Sequence, residues 1–445
     1  MKSTAAHWML FAAIMALLSV HSLRLGLVDW RDSMAYWEAA ENLRAGGDNL
    51  YARQERESRG RPYLYPPAFA AVFAPFTYWD DRPDMHPGER GLMNPYPFPS
   101  SLYIWGFLHL VAVPLTCVVM SRVLRRKWWD VHIATGVCLG AFGTVVLDAF
   151  YGNINIFIML GLAVAGALAI KRHYFWAAFL LGAGGMLKIM PFVLIPLLML
   201  RSPIRAGLGG LLGALLMWLL PLVLLVPQMG LLNGFEANIR LTGEYIENWV
   251  LPSVSSMQFT KGGAFKVPNH SPLAALQRVF GEGTQLTPVV WDKDDVGPML
   301  FVLPGWLLKL AALGTTLGLY IWSGWLWFRS RSRANALLAL GMAFTGASMA
   351  NVNFWHYHVP GMALVGGAMI VRARHADRRA WRRIVLFFVL MTFGFAGPSL
   401  LRTYGMAHFI QVMKWGIPTW SILLACVLAL TLGGRRSGMS EIHAP

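Results

Sequence analysis

Four short stretches, far apart in the chain, hold the residues best suited to chemistry. They are Asp29 and Asp32 in VDWRDSMAYWEAAENL (28–43), YGNIN (151–155), Lys188 in LKIMPF, and NVNFWHYH (351–358) with His356 and His358. Carboxylates exchange protons, ammonium and imidazole groups hold anions, and asparagine amides hydrogen-bond hydroxyls. Each stretch borders an apolar run, where an ionisable group costs a few kcal/mol to place and is a functional candidate for that reason. Plainer uses exist for each alone. An aspartate suits a helix N-terminus, Gly and Asn suit a turn, a lysine snorkels to headgroups, and histidines beside aromatics anchor at an interface. Four such stretches with no common need for polarity point together to one polar site.

The elements that must position these residues are membrane helices. Of 445 residues 56% are hydrophobic and only 13% charged, with 19 tryptophans, too apolar for a soluble chain of this size. Apolar runs lie near 8–27, 101–121, 132–150, 154–170, 174–187, 189–200, 206–227, 299–327, 334–350, 357–371, 384–401 and 415–432. The expectation is an all-α polytopic membrane protein of about twelve transmembrane helices, with ten to thirteen the range, forming one integral-membrane domain over 1–445. The first run lacks a small-residue cleavage site, so it reads as a retained anchor. The runs 174–187 and 189–200 fall short of the roughly 20 residues a crossing needs, so they are either tilted spans or one broken unit.

The formal charge of +16 sits in short clusters between apolar runs, which argues for topology signals and against a nucleic-acid partner. With the N-terminus in the cytoplasm, the connections 122–129, 171–173, 201–205, 329–333, 372–383 and the tail 433–436 all fall inside, and all are basic. Two long connections, 29–100 and 228–298, then lie outside and hold 18 of the 22 acidic residues. Both termini are expected in the cytoplasm, the protein in a bacterial plasma (inner) membrane, and the polar site on the extracytoplasmic face. Cys117, Cys138 and Cys426 lie in or beside apolar runs and read as packing residues.

In the first outer loop, Met34, Trp37, Ala40 and Leu43 form an apolar stripe against Asp32, Glu38, Glu41 and Arg44, and Gly46-Gly47 follows. That spacing predicts an interfacial helix. A second interfacial helix is predicted within 62–76, opened by Pro66-Pro67. No repeat and no metal-ligand spacing is visible, so no cofactor is assigned, with a divalent ion at an aspartate pair the alternative.

The strings DSMAYWEAAENLRAGGDNLY (32–51), PYLYPPAFAAVFAPF (62–76), YGNINIFIMLGL (151–162), GAGGMLKIMPFVLIPLLMLR (182–201), NHSPLAALQRVFG (269–281) and NFWHYHVPGMALV (353–365) follow in order. Together they resemble glycosyltransferase family 87, polytopic type-C transferases. The resemblance spans about residues 10–370 and departs from the family pattern in two places. Gly152 precedes Asn153 where the family often has Gln, and His356 and His358 are separated by Tyr357 where the family has two adjacent histidines. Which histidine takes the family role therefore stays open.

The resemblance implies a polyprenyl-phosphate sugar donor, most often of mannose, and an extracytoplasmic lipid or glycan acceptor. It further implies a single-displacement inverting transfer with Asp32 as general base and Tyr36 one turn on. Lys188, His356 and His358 would face the donor phosphate, assisted by Arg240, Lys261, Lys266 or Arg402. Tyr65, Pro66 and Pro67 would shape the donor groove, and Asn153, Asn155 and Asn269 would meet sugar hydroxyls. The competing classes are a transporter or flippase of a lipid-linked sugar and a non-catalytic scaffold. Transporter sites favour the midplane at repeat interfaces, whereas Asp148 lies near the outer end of its run.

Overall fold

The computed structural model describes residues 2–23, 31–48, 50–51, 63–78, 101–251, 271–280, 302–351, 354, 358–373, 376–404 and 417–434. Every regular element among them is helical. In order these are α1 Lys2–Leu23, α2 Arg31–Arg44, α3 Pro67–Phe73, α4 Ser101–Arg125, α5 Val131–Gly140, α6 Ala149–Tyr151, α7 Asn155–Ile170, α8 Tyr174–Gly185 and α9 Ile195–Met199. There follow α10 Pro203–Leu219, α11 Leu222–Met229, α12 Leu231–Tyr245, α13 Pro272–Phe280, α14 Gly305–Arg329, α15 Arg333–Met349, α16 Met362–Ala373, α17 Arg378–Tyr404 and α18 Ile417–Gly434. A π-helical turn, Thr144–Asp148, feeds α6, and 3-10 turns occupy Ala74–Tyr78 and Met190–Leu194.

Each expected apolar run is helical over most of its described residues. Ser101–Arg125 and Pro203–Met229 are long and apolar enough by themselves to cross a membrane. The unit 174–200 is broken: α8 stops at Gly185 and, after a turn holding Lys188, the chain resumes as 3-10 helix and α9. Large apolar side chains stand exposed along many helices, including Leu211, Leu216 and Val223 of α10–α11, Ile321 and Phe328 of α14, and Trp381 and Phe393 of α17. Water does not tolerate such a surface, and lipid does.

Helices that bury little polar surface pack through small residues. On α10, a Cβ at Gly209 or Gly213 would overlap the carbonyl oxygens of Phe175 and Phe179 on α8, so these backbones touch. The same holds between Gly136 of α5 and Gly366 of α16. Basic residues from the short connections do more than mark sidedness. Arg201 donates to the Ser330 carbonyl at 2.9 Å and also to that of Trp327, whose ring it overlies, so it caps the C-terminus of α14. Arg372 likewise reaches the Leu432 and Gly433 carbonyls at the end of α18.

Both long connections contain helix. The helix over 31–44 forms, and protein covers more than its apolar stripe. Asp32, Ser33, Tyr36, Trp37, Ala40 and Leu43 are all buried, because α3, the turn that follows it and α11 pack around α2. The long connection 228–298 begins with a further helix, α12, which the sequence reading did not single out. The Pro66-Pro67 start of α3 is as expected, with Pro66 at the N-cap in extended backbone and Pro67 opening the first turn.

Candidate active site

Asp32 stands in the first turn of α2, one turn before Tyr36. Its carboxylate meets a second, distant segment of the chain. The Asn153 amide nitrogen donates to Asp32 Oδ2 at 2.7 Å and to Tyr65 Oη at 3.1 Å. Tyr36 Oη donates to Tyr65 Oη at 2.9 Å, and Tyr51 holds the Tyr65 backbone through its carbonyl at 2.7 Å. Three segments distant in sequence thus meet at one carboxylate.

The turn carrying Asn153 is built for this. Gly152 ends α6 at φ 64°, a left-handed conformation that glycine adopts without strain. From α4, the Trp105 indole donates to the Gly152 carbonyl at 2.9 Å, and His109 Nε2 lies 2.7 Å from the Asn153 carbonyl. Trp105 and His109 are four residues apart and so share a helix face. His109 Nδ1 meets the Trp105 carbonyl at 2.8 Å, which leaves both ring nitrogens occupied.

A second carboxylate lies behind the first. Asp148 is fully buried, its Oδ1 accepting from the Asn155 amide at 2.7 Å and its Oδ2 from the Ile156 backbone N–H at 2.8 Å. It thereby satisfies a free amide in the first turn of α7. The Asn155 amide also donates to Asn153 Oδ1 at 3.0 Å, while Asn155 Oδ1 accepts from Lys188 Nζ at 2.7 Å. The chain of bonds therefore runs from Tyr36 and Asp32 through Asn153 and Asn155 to Asp148 and Lys188. Lys188 Nζ also stands 5.6 Å from the Tyr65 ring centroid.

Burial sets the protonation of this group. It raises the Tyr36 hydroxyl well above the ordinary tyrosine range, with Tyr65 and Asp32 adding to the shift, and Tyr65 is raised by burial and by Asp32. Both phenols remain hydrogen-bond donors at neutral pH. Burial pushes the Lys188 ammonium, in its turn between helices, down to about 8, opposed by Asp148 and Asp32.

Of the residues singled out from the sequence, Asp32, Tyr36, Tyr65, Asn153, Asn155 and Lys188 come together. Pro66 and Pro67 are buried at the start of α3, with the Pro66 carbonyl accepting from the Tyr63 hydroxyl at 2.8 Å. His358 has its ring 6.1 Å from that of Phe354. Arg240 pairs with Asp48 and Glu244 on the outer surface of α12. His356 and Asn269, with Asp29, Lys261 and Lys266, lie outside the described residues, as does the side chain of Arg402. Sequence reasoning missed Trp105 and His109, although a histidine one turn after a tryptophan inside an apolar run was a visible signal. It weighed Asp148 only as a transport residue. Among the described residues no group of three or more His, Cys, Asp or Glu could hold a metal ion.

A polar chain of this kind, at the ends of apolar helices, offers a carboxylate for proton transfer, amides and phenols for hydroxyl groups, and an ammonium for an anion. No curated protein matches this sequence. Among solved structures the chain is similar to ArnT from Cupriavidus metallidurans, both bound to undecaprenyl phosphate and in the apo state. Each comparison has 14% identity and a TM-score of 0.40, over 97% of this chain and 78% of that one. The model of glycosyltransferase family 87 matches residues 63–351, more than half of the chain. The matched stretch carries Tyr65, Asn153, Asn155 and Lys188, and their hydrogen bonds bind Asp32 and Tyr36, which precede it, into the same site. The chain belongs to glycosyltransferase family 87.

Proposed function

We propose that this glycosyltransferase moves a hexose from a polyprenyl-phosphate-linked donor to a lipid or glycan acceptor at the extracytoplasmic face of the plasma membrane. Mannose is the favoured sugar, on the family resemblance alone. Asp32 is the general base. The acceptor oxygen bonds to the anomeric carbon on the face opposite the phosphate, and its proton passes to the Asp32 carboxylate. The bond from that carbon to the phosphate oxygen breaks, and its electron pair leaves with the polyprenyl phosphate. Single displacement inverts the anomeric centre.

The single observation that carries this reading is the Asn153 amide on Asp32 Oδ2 at 2.7 Å. It fixes the orientation of one of two carboxylates in this chain of hydrogen bonds, the other, Asp148, being held by the Asn155 amide and the Ile156 N–H. Lys188 is the cation for the developing phosphate charge, and Asn155 aims it. The tyrosine pair and Asn153 hydrogen-bond the sugar.

The test is transfer from radiolabelled polyprenyl-phosphate mannose by the purified protein in liposomes, scored against a crude lipid and glycan extract. Product from wild type and none from an equally folded Asp32→Asn supports the assignment. Full activity of Asp32→Asn removes the base. Wild type inactive with every donor sugar tried, while moving a lipid-linked sugar across the bilayer, establishes the transporter or flippase in its place.

A further inference from the structure

Helix α12 divides its surface into three sectors. Gly234, Ala237, Asn238, Leu241 and Tyr245 recur at helical spacing and are buried against the protein. Glu236 and Arg240, with Glu247 in the π-helical turn Ile246–Val250 that continues the helix, form an exposed charged strip. Between the two lies an apolar sector of Leu231, Leu232, Phe235, Ile239 and Ile246, which are 67%, 83%, 39%, 55% and 41% exposed. Five large apolar side chains side by side on one helix need an apolar cover.

The course of the helix identifies that cover. Gly230, at φ 82°, reverses the chain after α11. Beyond it α12 stays close to the preceding span: the Asn238 amide donates to the Trp218 carbonyl at 2.9 Å, and the Trp218 indole donates to Thr242 Oγ1 at 3.0 Å. Trp218 and Thr242 lie equally far from Gly230 in the chain, so α12 runs back alongside α10–α11. The Phe235 ring stands edge-on to that of Trp218 at 5.5 Å, which joins the apolar sector to α10. α10–α11 is long and apolar enough to cross a membrane and exposes Leu211, Leu216 and Val223. The apolar sector of α12 therefore continues the hydrocarbon-facing surface of a span.

We infer that α12 is embedded in the leaflet on the side of the active site, its apolar sector covered by lipid hydrocarbon chains and its charged strip turned to water. The helix also reaches the site. The Tyr245 ring at its C-terminal end lies 6.2 Å from that of Tyr51, whose hydroxyl donates to the Tyr65 carbonyl at 2.7 Å. This ties α12, through its protein-facing sector, to the backbone that carries Tyr65. The membrane contact itself does not depend on the chemistry proposed for Asp32.

Nitroxide labels on single cysteines tests it in liposomes of the full-length protein. Leu232→Cys and Ile239→Cys report the apolar sector, and Glu236→Cys and Glu247→Cys the charged strip. Cys117, Cys138 and Cys426 are buried, and labelled wild type serves as the blank. The expected result is a several-fold higher ratio of oxygen to nickel-chelate collision at 232 and 239 than at 236 and 247. Equal nickel access at all four positions means that water covers the sector and overturns the inference. Shielding of 232 and 239 from both reagents means that protein covers it, and overturns it as well. Leu231→Cys, on the same sector, replaces Leu232→Cys if that variant does not fold.

Discussion

Asn153 touches Asp32 from a turn 121 residues further along the chain, its amide nitrogen 2.7 Å from Oδ2 and also 3.1 Å from Tyr65 Oη. The amide nitrogen can only donate, so it holds the carboxylate oxygen in one orientation. Asn153→Ala removes that bond and should lower kcat while the protein still folds. A hydrogen bond to a charged group contributes about 1.5–3 kcal/mol, which corresponds to a loss of about 10- to 100-fold. Asn153→Asp sets a second carboxylate against Asp32 and should cost more than Asn153→Ala. Steady-state kinetics of both variants check this, and an unchanged kcat for Asn153→Ala would detach Asn153 from the chemistry.

Asp148 makes a different prediction, because both its oxygens accept bonds inside the fold. Asp148→Ala strands the Ile156 N–H and loosens Asn155, and with it the seat of Lys188. Unsatisfied buried donors cost about 1–3 kcal/mol each, so the variant should lose thermal stability as well as activity. Asp148→Asn keeps the shape, replaces one acceptor oxygen by a donor and should fall between. Thermal unfolding in detergent beside the transfer assay separates the two effects; a variant with full stability and no activity would make Asp148 a direct participant.

Much of this site was legible in the sequence. Asp32, Tyr36, YGNIN and Lys188 stand out because polar groups at the ends of apolar runs are costly and therefore informative. What stayed hidden depends on three-dimensional course. The apolar stripe on α2 was readable, but helical periodicity cannot say that protein covers the other faces too, as it does at Ser33 and Tyr36. Helix α12 was missed because it is apolar in two sectors and charged in the third, which blurs a two-sided pattern. His109 and Trp105 act on backbone carbonyls, and a carbonyl carries no sequence signal.

Gly213 tests the packing that holds the broken unit in place. A methyl group there would strike the Phe179 carbonyl, a backbone atom that cannot rotate away, so α8 and α10 must separate. Overpacking of this kind costs about 1–3 kcal/mol. Gly213→Ala should therefore unfold at lower temperature, whereas Gly243→Ala on α12, where a Cβ meets open space, should not. Because α8 leads directly into the turn of Lys188, the Gly213 variant should also weaken transfer. Equal unfolding temperatures for the two variants would show that the helices do not touch at Gly213.

The role proposed for Lys188 predicts an alkaline limit to the reaction. Burial lowers its ammonium to about 8, with Asp148 and Asp32 holding it from falling further. Below that pH the side chain carries the charge that the proposed reaction sets against the departing phosphate, and above it the charge is lost. Transfer by the wild type should therefore decline as pH rises through about 8. Lys188→Arg, whose guanidinium stays charged in this range, should have a lower maximum rate, since its fork does not match the single bond to Asn155 Oδ1, but no decline at that pH. Lys188→Met should be nearly inactive throughout. The measurement is the pH profile of kcat for the three proteins between neutral pH and the onset of unfolding, and an identical alkaline limb in wild type and Lys188→Arg would assign the limit to another group.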